Sequence, residues 1–252
     1  MRKHVLLAGV LLLSAISFGQ KKEIKKAEKE IKSGNFTEAM MLLKQAEGML
    51  AGADSDITSQ FYIVKARGLM LGSVTDSADL KMASELLKKA KEVDTGNDNT
   101  SAIEEETDSL KGILENNAGL DYKAMRYKQA AEKFYIAYTV NQLDTLFLFN
   151  AALASKNAND FENASMYFQK LADLEYTGIQ KQFVATEKAT GKEESFVTQS
   201  QRDLMVKAGT HVNPKEKISE SKRELVLLSL AQINIVNGDN EKAIEIIDQV
   251  RK

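Results

Sequence analysis

The chain has no cysteine and no tryptophan, one proline and two histidines among its 252 residues. Without cysteine there is no disulfide, no thiolate nucleophile and no thiolate metal ligand, so packing alone must hold the fold. A single proline, Pro214, suits helices that follow one another with few sharp stops. Of the histidines, His4 lies at the N-terminus, and His211 stands beside Val212-Asn213-Pro214. His211 has no partner at metal-ligand spacing and is read as a packing or capping residue, not a base or ligand. Neither charge sign dominates. Thirty-four Lys and Arg face 36 Asp and Glu, a formal charge of −2, which disfavours nucleic acid as a partner. There is no phosphate-cradling glycine loop and no Gly-x-Ser-x-Gly elbow. No cofactor and no metal are implied.

The first nineteen residues read as an export signal. Arg2, Lys3 and His4 form a positive start, Val5 to Ile16 an apolar run, and Ser17-Phe18-Gly19 sets small residues at −3 and −1 of a cut before Gln20. The alternative, an uncleaved anchor, needs about 20 apolar residues, more than this run supplies. No cysteine follows, which excludes a lipid-anchored lipoprotein. Cleavage removes Arg2 and Lys3 and takes the formal charge from −2 to −4. An exported chain without disulfides is expected in a Gram-negative periplasm or cell envelope.

What the sequence does have is a period. Ala118, Tyr127, Ala130 and Phe134 recur as Ala152, Phe161, Ala164 and Phe168, each pair 34 residues apart. A fixed spacing of this size marks one supersecondary unit used repeatedly. In the clearest unit, Asp144 to Tyr176, Leu148, Ala151 and Ala152 sit at helical spacing before a turn at Asn159-Asp160. Phe161, Ala164, Phe168 and Leu171 then form a second helical stripe. The unit before it has Ala118, Tyr122 and Ala124, then Tyr127, Ala130, Phe134 and Ala137. Its first helix is extended backwards to about Ser101 by Ile103, Leu110, Ile113 and Leu114. The first unit has Ala27 and Ile31, Ser33-Gly34-Asn35, then Phe36, Ala39, Leu43 and Ala46. The last has Leu227, Ala231 and Ile235, Asn237-Gly238-Asp239, then Ala243, Ile247 and Val250. A less regular unit runs from Phe61, Ala66 and Leu69 through a long turn at Gly72 to Asp79 into Ala83, Leu87 and Ala90.

The spacing small-x11-Ala-x3-large-x2-small resembles the tetratricopeptide repeat. It is met by Ala27/Ala39/Leu43/Ala46, Ala118/Ala130/Phe134/Ala137, Ala152/Ala164/Phe168/Leu171 and Ala231/Ala243/Ile247/Val250. Ala66/Ala83 are 17 apart instead of 12, and the usual proline after the second helix is absent. The resemblance implies an all-α superhelical solenoid of about five helix hairpins. Residues 20–176 hold four repeats and 219–252 a fifth. Between them, 177–218 break the pattern. Gln180 to Glu187, a turn at Ala189-Thr190-Gly191 and Lys192 to Val197 predict a β-hairpin insertion. Arg202 to Lys207 are read as a short helix and His211 to Ile218 as loop. The insertion, with Phe18-Gly19-Gln20, is similar to exported repeat proteins of the Bacteroidetes type. The last unit stops at Lys252 with no polar cap. The expectation is that repeats continue beyond it or that another subunit covers that face.

The resemblance implies protein–protein interaction: a scaffold or assembly factor with no catalytic residues. First-helix inner positions, which line the concave groove in that family, are here Tyr122, Lys123, Phe149, Lys156 and Asn157. They are the expected contacts for a partner protein or peptide. The basic and amide pattern that clamps a C-terminal carboxylate is not matched, since Ile24 and Glu28 hold those places. A second candidate surface is Phe183, Val184, Phe196 and Val197 of the insertion, which either present an edge strand to an extended peptide or cover a joint between repeats. Glu104-Glu105-Glu106 with Asp108 read as a solvated helix face, because neighbouring residues point around the axis. Asp94 to Asn99 reads as a turn, because its glycine stands third and not sixth in a calcium-type loop. Two other classes remain open. A larger envelope enzyme would need a domain outside this chain, and a glycan-binding module would need exposed aromatic rings in a cleft.

Overall fold

A computed structural model describes residues 19–250, so most of the expected export signal lies outside the described residues. The chain forms two compact units that part between Asp160 and Phe161. The first holds α1 (19–32), α2 (Phe36–Glu47), α3 (Ser55–Gly72), α4 (Ser77–Val93), α5 (Thr100–Lys123), α6 (Tyr127–Val140) and α7 (Thr145–Asn157). The second holds α8 (Phe161–Asp173), β1 (Lys181–Glu187), β2 (Glu193–Phe196), α9 (Gln199–Lys207), β3 (His211–Ile218), α10 (Arg223–Val236) and α11 (Asn240–Val250). Among the described residues no helix is long and apolar enough to cross a membrane.

The repeat alanines set the helix spacing. Ala27, Ala39, Ala66, Ala83, Ala118, Ala130, Ala152 and Ala164 are fully buried. A side chain that stops at Cβ lets two helix backbones approach closely, and larger neighbours fill the flanks. In the first unit Ile24, Ala27 and Ile31 of α1 and Ala39, Leu43 and Ala46 of α2 share one apolar cluster with Ile57, Phe61 and Val64 of α3. Each hairpin therefore leaves an apolar side that the next helix covers. The same neighbour pairing recurs: α3 packs on α4, α4 on α5, α5 on α6 and α6 on α7.

The turns of the four regular hairpins are alike. Gly34, Met125, Asn159 and Gly238 take φ of +79°, +59°, +57° and +84°. In each, the following amide donates to the carbonyl five residues back: Asn35 to Glu30, Arg126 to Asp121, Asp160 to Ser155 and Asp239 to Asn234, at 2.8–2.9 Å. This is the Schellman arrangement, which satisfies carbonyls a helix end leaves orphaned. The irregular hairpin corrects one expectation. Its extra residues are not a long turn; the connection is only Ser73 to Asp76, and the helices around it are longer. Asp76 caps α4 by accepting from the amides of Ala78 and Asp79 at 2.8 and 3.1 Å.

In the second unit α10 packs on both α8 and α11. Between α8 and α10 lies the insertion, and here a second expectation is corrected. His211 to Ile218 is not loop but β3, so the hairpin is a three-stranded antiparallel sheet in the order β2-β1-β3. Pro214 is tolerated because it falls in a bulge of β3, where the register skips from Val212 to Lys215 and leaves it without a ladder partner. The α9 helix, closed by a capping box of Thr198 and Gln201, packs on all three strands. The two ends of the insertion are tied together. The Lys222 amide donates to Thr177 O at 2.6 Å, Ser219 N to Gln180 O at 2.8 Å, and Gln180 N to Ser219 Oγ at 2.9 Å.

Candidate functional site

The first helices of the first unit lie side by side and parallel, as a series of polar links shows. Asn99, the residue before α5, donates to Asp56 O of α3 at 3.1 Å. Further along, Arg67 of α3 donates from Nε to Glu106 of α5 at 2.7 Å and from Nη1 to Glu28 of α1 at 3.1 Å. Near the far end Asn117 of α5 donates to Val74 O, just past α3. Between α5 and α7 the link is Asn157 Nδ2 to the Tyr122 hydroxyl, 2.7 Å. Burial works against the Arg67 charge, but the bonded carboxylates of Glu106 and Glu28 outweigh it and raise its pKa above the ordinary arginine value. Arg67 alone cannot balance two carboxylates; Lys32, 3.4 Å from Glu28, supplies the second positive charge.

The outward side of α5 is bare. Gly112, Glu115, Asn116, Gly119, Leu120 and Lys123 line a shallow groove of about 370 Å³ there. They recur at three- and four-residue steps, so they share one helix face, opposite the buried Leu110, Leu114 and Ala118. A Cβ added at Gly112 or Gly119 would meet nothing within 4 Å, so these glycines leave a strip of backbone open to an incoming chain. Leu120 beside them is 52% exposed.

The expected groove residues are placed unequally. Lys123 is exposed and lines this strip, and Tyr122 and Asn157 meet. The Tyr122 ring also packs edge-on against Tyr127, with centroids 5.1 Å apart. Lys156 is half-buried. Phe149 is a correction. It is 4% exposed and belongs to the packing, because α7 is covered on most sides, with Phe147, Leu148, Ala151, Ala152, Ala154 and Ser155 also buried. Sequence reasoning missed the α5 strip, although its 112/115/116/119/120/123 spacing was visible. It also missed the buried ion cluster at the end of α5. There Asp121 Oδ2 accepts from Lys133 Nζ at 2.8 Å, and Oδ1 from Arg126 Nε at 2.8 Å. Burial by itself would raise the Asp121 pKa, but the hydrogen bonds and charges of Lys133 and Arg126 hold it below the ordinary carboxylate value.

The insertion residues do not form a single surface. Phe183 and Phe196 are half-buried and opposite each other across β1 and β2. The guanidinium of Arg202 lies 5.6 Å from the Phe183 ring. Val184 is 1% exposed on the central strand and cannot meet a partner, a second correction, whereas Val197 is 87% exposed. His211 is buried: Nε2 lies 2.7 Å from Glu194, Nδ1 2.9 Å from the Thr210 hydroxyl, and the ring 5.3 Å from Phe196. The single Thr210 proton has a carbonyl acceptor in Met205 at 3.0 Å, so the threonine is an anchor and not an activated nucleophile. Among the described residues no group of three or more His, Cys, Asp or Glu could hold a metal ion.

No family model matches this chain, and no curated protein matches it. Several solved structures do. MamA AMB-1 is 15% identical, with 92% of this chain and 90% of that one covered and a TM-score of 0.34. BtubC from P. vanneervenii is 13% identical over 95% and 88%, at 0.36. A kinesin light chain with TPR-like repeats from Podosopora anserina is 14% identical over 92% of each, at 0.35. No role is carried over at such values. The buried alanines, the shared turns and the stacked hairpins are what make this a fold of tetratricopeptide-like repeats.

Proposed function

We propose that this chain is a non-catalytic scaffold that binds a partner protein or peptide along the bare side of its first helices. The α5 strip carries the reading. Backbone bare of side chains at Gly112 and Gly119, an exposed Leu120 and the polar Glu115, Asn116 and Lys123 offer what an extended or helical segment needs: apolar anchorage, amide partners and charge of both signs. Affinity would be spread over this face and not vested in one reactive group. The site of action is the periplasm or cell envelope, a reading that rests on the positive, apolar and small-residue order of residues 2–19. A glycan platform has less support, since every aromatic ring among the described residues is buried or half-buried.

The test is a photo-crosslinking residue at Asn116 in the full chain, expressed in its own cell envelope. A discrete adduct that L120D/K123E abolishes, with the helical circular dichroism intact, is the expected result. An adduct unchanged by that double substitution would overturn the assignment of the strip.

A further inference from the structure

We propose that the first unit has a second docking site, the cleft beyond the end of α6, and that its occupant is a helical partner segment with an apolar stripe flanked by one acidic and one basic edge. The cleft arises from a mismatch in helix length. Helix α5 has 24 residues and its antiparallel neighbour α6 has 14. Joined by the tight turn at Ala124 to Arg126, α6 runs out at Val140, level with about Leu110. At 1.5 Å per residue the first ten residues of α5 project roughly 15 Å past it. Along that projection no described helix continues α6, and a cleft of about 420 Å³ opens between α5 and α4.

The lining says what fits. Leu87, Ile103, Leu110 and Val140 form an apolar floor. The α4 wall carries Lys88 and Lys91, and the α5 wall carries Glu104 and Asp108. Opposite charges face one another here, yet no ion pair closes the cleft. Asp108 reaches only Lys111, at 3.9 Å, and Lys88, Lys91 and Glu104 have no ion-pair partner among the described residues. Unpaired charges of opposite sign along two walls are complementary to a segment whose two edges carry the opposite signs in turn. The empty line beyond α6 favours a helix, which would pack against α4 and α5 as α6 does further along. This site is separate from the α5 strip and does not depend on it.

The probes are three stapled helical peptides of about 14 residues, sharing one leucine stripe. One has a glutamate edge and a lysine edge, one has glutamate on both edges, and one has lysine on both. Fluorescence anisotropy with the full chain reads binding. The mixed peptide is expected to bind at least tenfold tighter than either uniform one. In K88E/K91E the all-lysine peptide should become the tightest binder, and in E104K/D108K the all-glutamate peptide. Two variants on separate helices keep the test open if one fails to fold. Equal affinities for the three peptides, no saturable binding, or a ranking that neither variant shifts would overturn the proposal.

Discussion

Asn157 donates a hydrogen bond to the Tyr122 hydroxyl at 2.7 Å, linking two first helices 35 residues apart in sequence. That separation is one more than the repeat period, so the two side chains come from adjacent positions of successive units. The link sits near the surface, and its net worth is about 1 kcal/mol. Tyr122→Phe and Asn157→Ala, singly and together, should show a coupling of about 0.5–1 kcal/mol in urea denaturation. Strict additivity would mean that the link contributes nothing.

Met125 holds the left-handed turn position that Gly34 and Gly238 fill elsewhere, and it is 75% exposed. Its side chain has little packing to lose. Met125→Gly should therefore raise stability by about 1 kcal/mol, the usual penalty for a side chain in that conformation. The reciprocal Gly34→Ala should lower it by a similar amount. Thermal melts of the two variants should shift in opposite directions, and a fall for Met125→Gly would refute the strain argument.

Asp121 and Lys133 form a buried pair, with side-chain exposures of 11% and 5%. Removing one charge strands the other, so Asp121→Ala should cost about 3 kcal/mol. Because the folded-state pKa of Asp121 is depressed, its contribution is fully present above its unfolded value of about 3.9 and is lost as pH falls through the lower, folded value. The gap between wild type and Asp121→Asn in urea midpoint should narrow below about pH 4. A gap that stayed constant down to pH 2 would contradict the pairing.

Gly178 stands at the neck of the insertion with φ +58°, and a Cβ there would come 2.7 Å from Tyr176 Oη and 2.9 Å from Lys222 Cδ. Gly191, in the hairpin turn, has φ +69° and nothing within 4 Å of an added Cβ. Gly191→Ala should cost only the backbone penalty of about 1 kcal/mol, and Gly178→Ala clearly more, about 2–3 kcal/mol. Equal melting shifts would show that the neck relaxes freely.

The sequence made the hairpins legible because each needs alanine at fixed intervals, and those alanines are buried where the period puts them. β1 and β2 were visible through Phe183, Val184 and Phe196 between turn residues. β3 was hidden because an edge strand is marked by Pro214, Lys215 and Lys217, the residues that also mark a loop. The long hairpin was misread for a related reason: Gly72 and Ser73 signal a turn but do not say how far the helices run on either side. Tyr122, Lys123, Phe149 and Asn157 are first-helix inner positions on the family resemblance, and of these Phe149 alone is buried. Its place in the repeat does not reveal that seven residues of α7, Phe149 among them, are buried. The α5 strip went unread because its signal is an absence of side chain at Gly112 and Gly119.

The hydrogen bonds that join Thr177 to Lys222 and Gln180 to Ser219 have a consequence for what this chain tolerates. A segment that leaves and rejoins at one point is a cassette: excision of the strands and α9, with a short bridge across the two stubs, imposes no new geometry on α8 or α10. The same junction would accept a foreign domain whose ends lie close together, making it a natural place to graft a reporter or an affinity module.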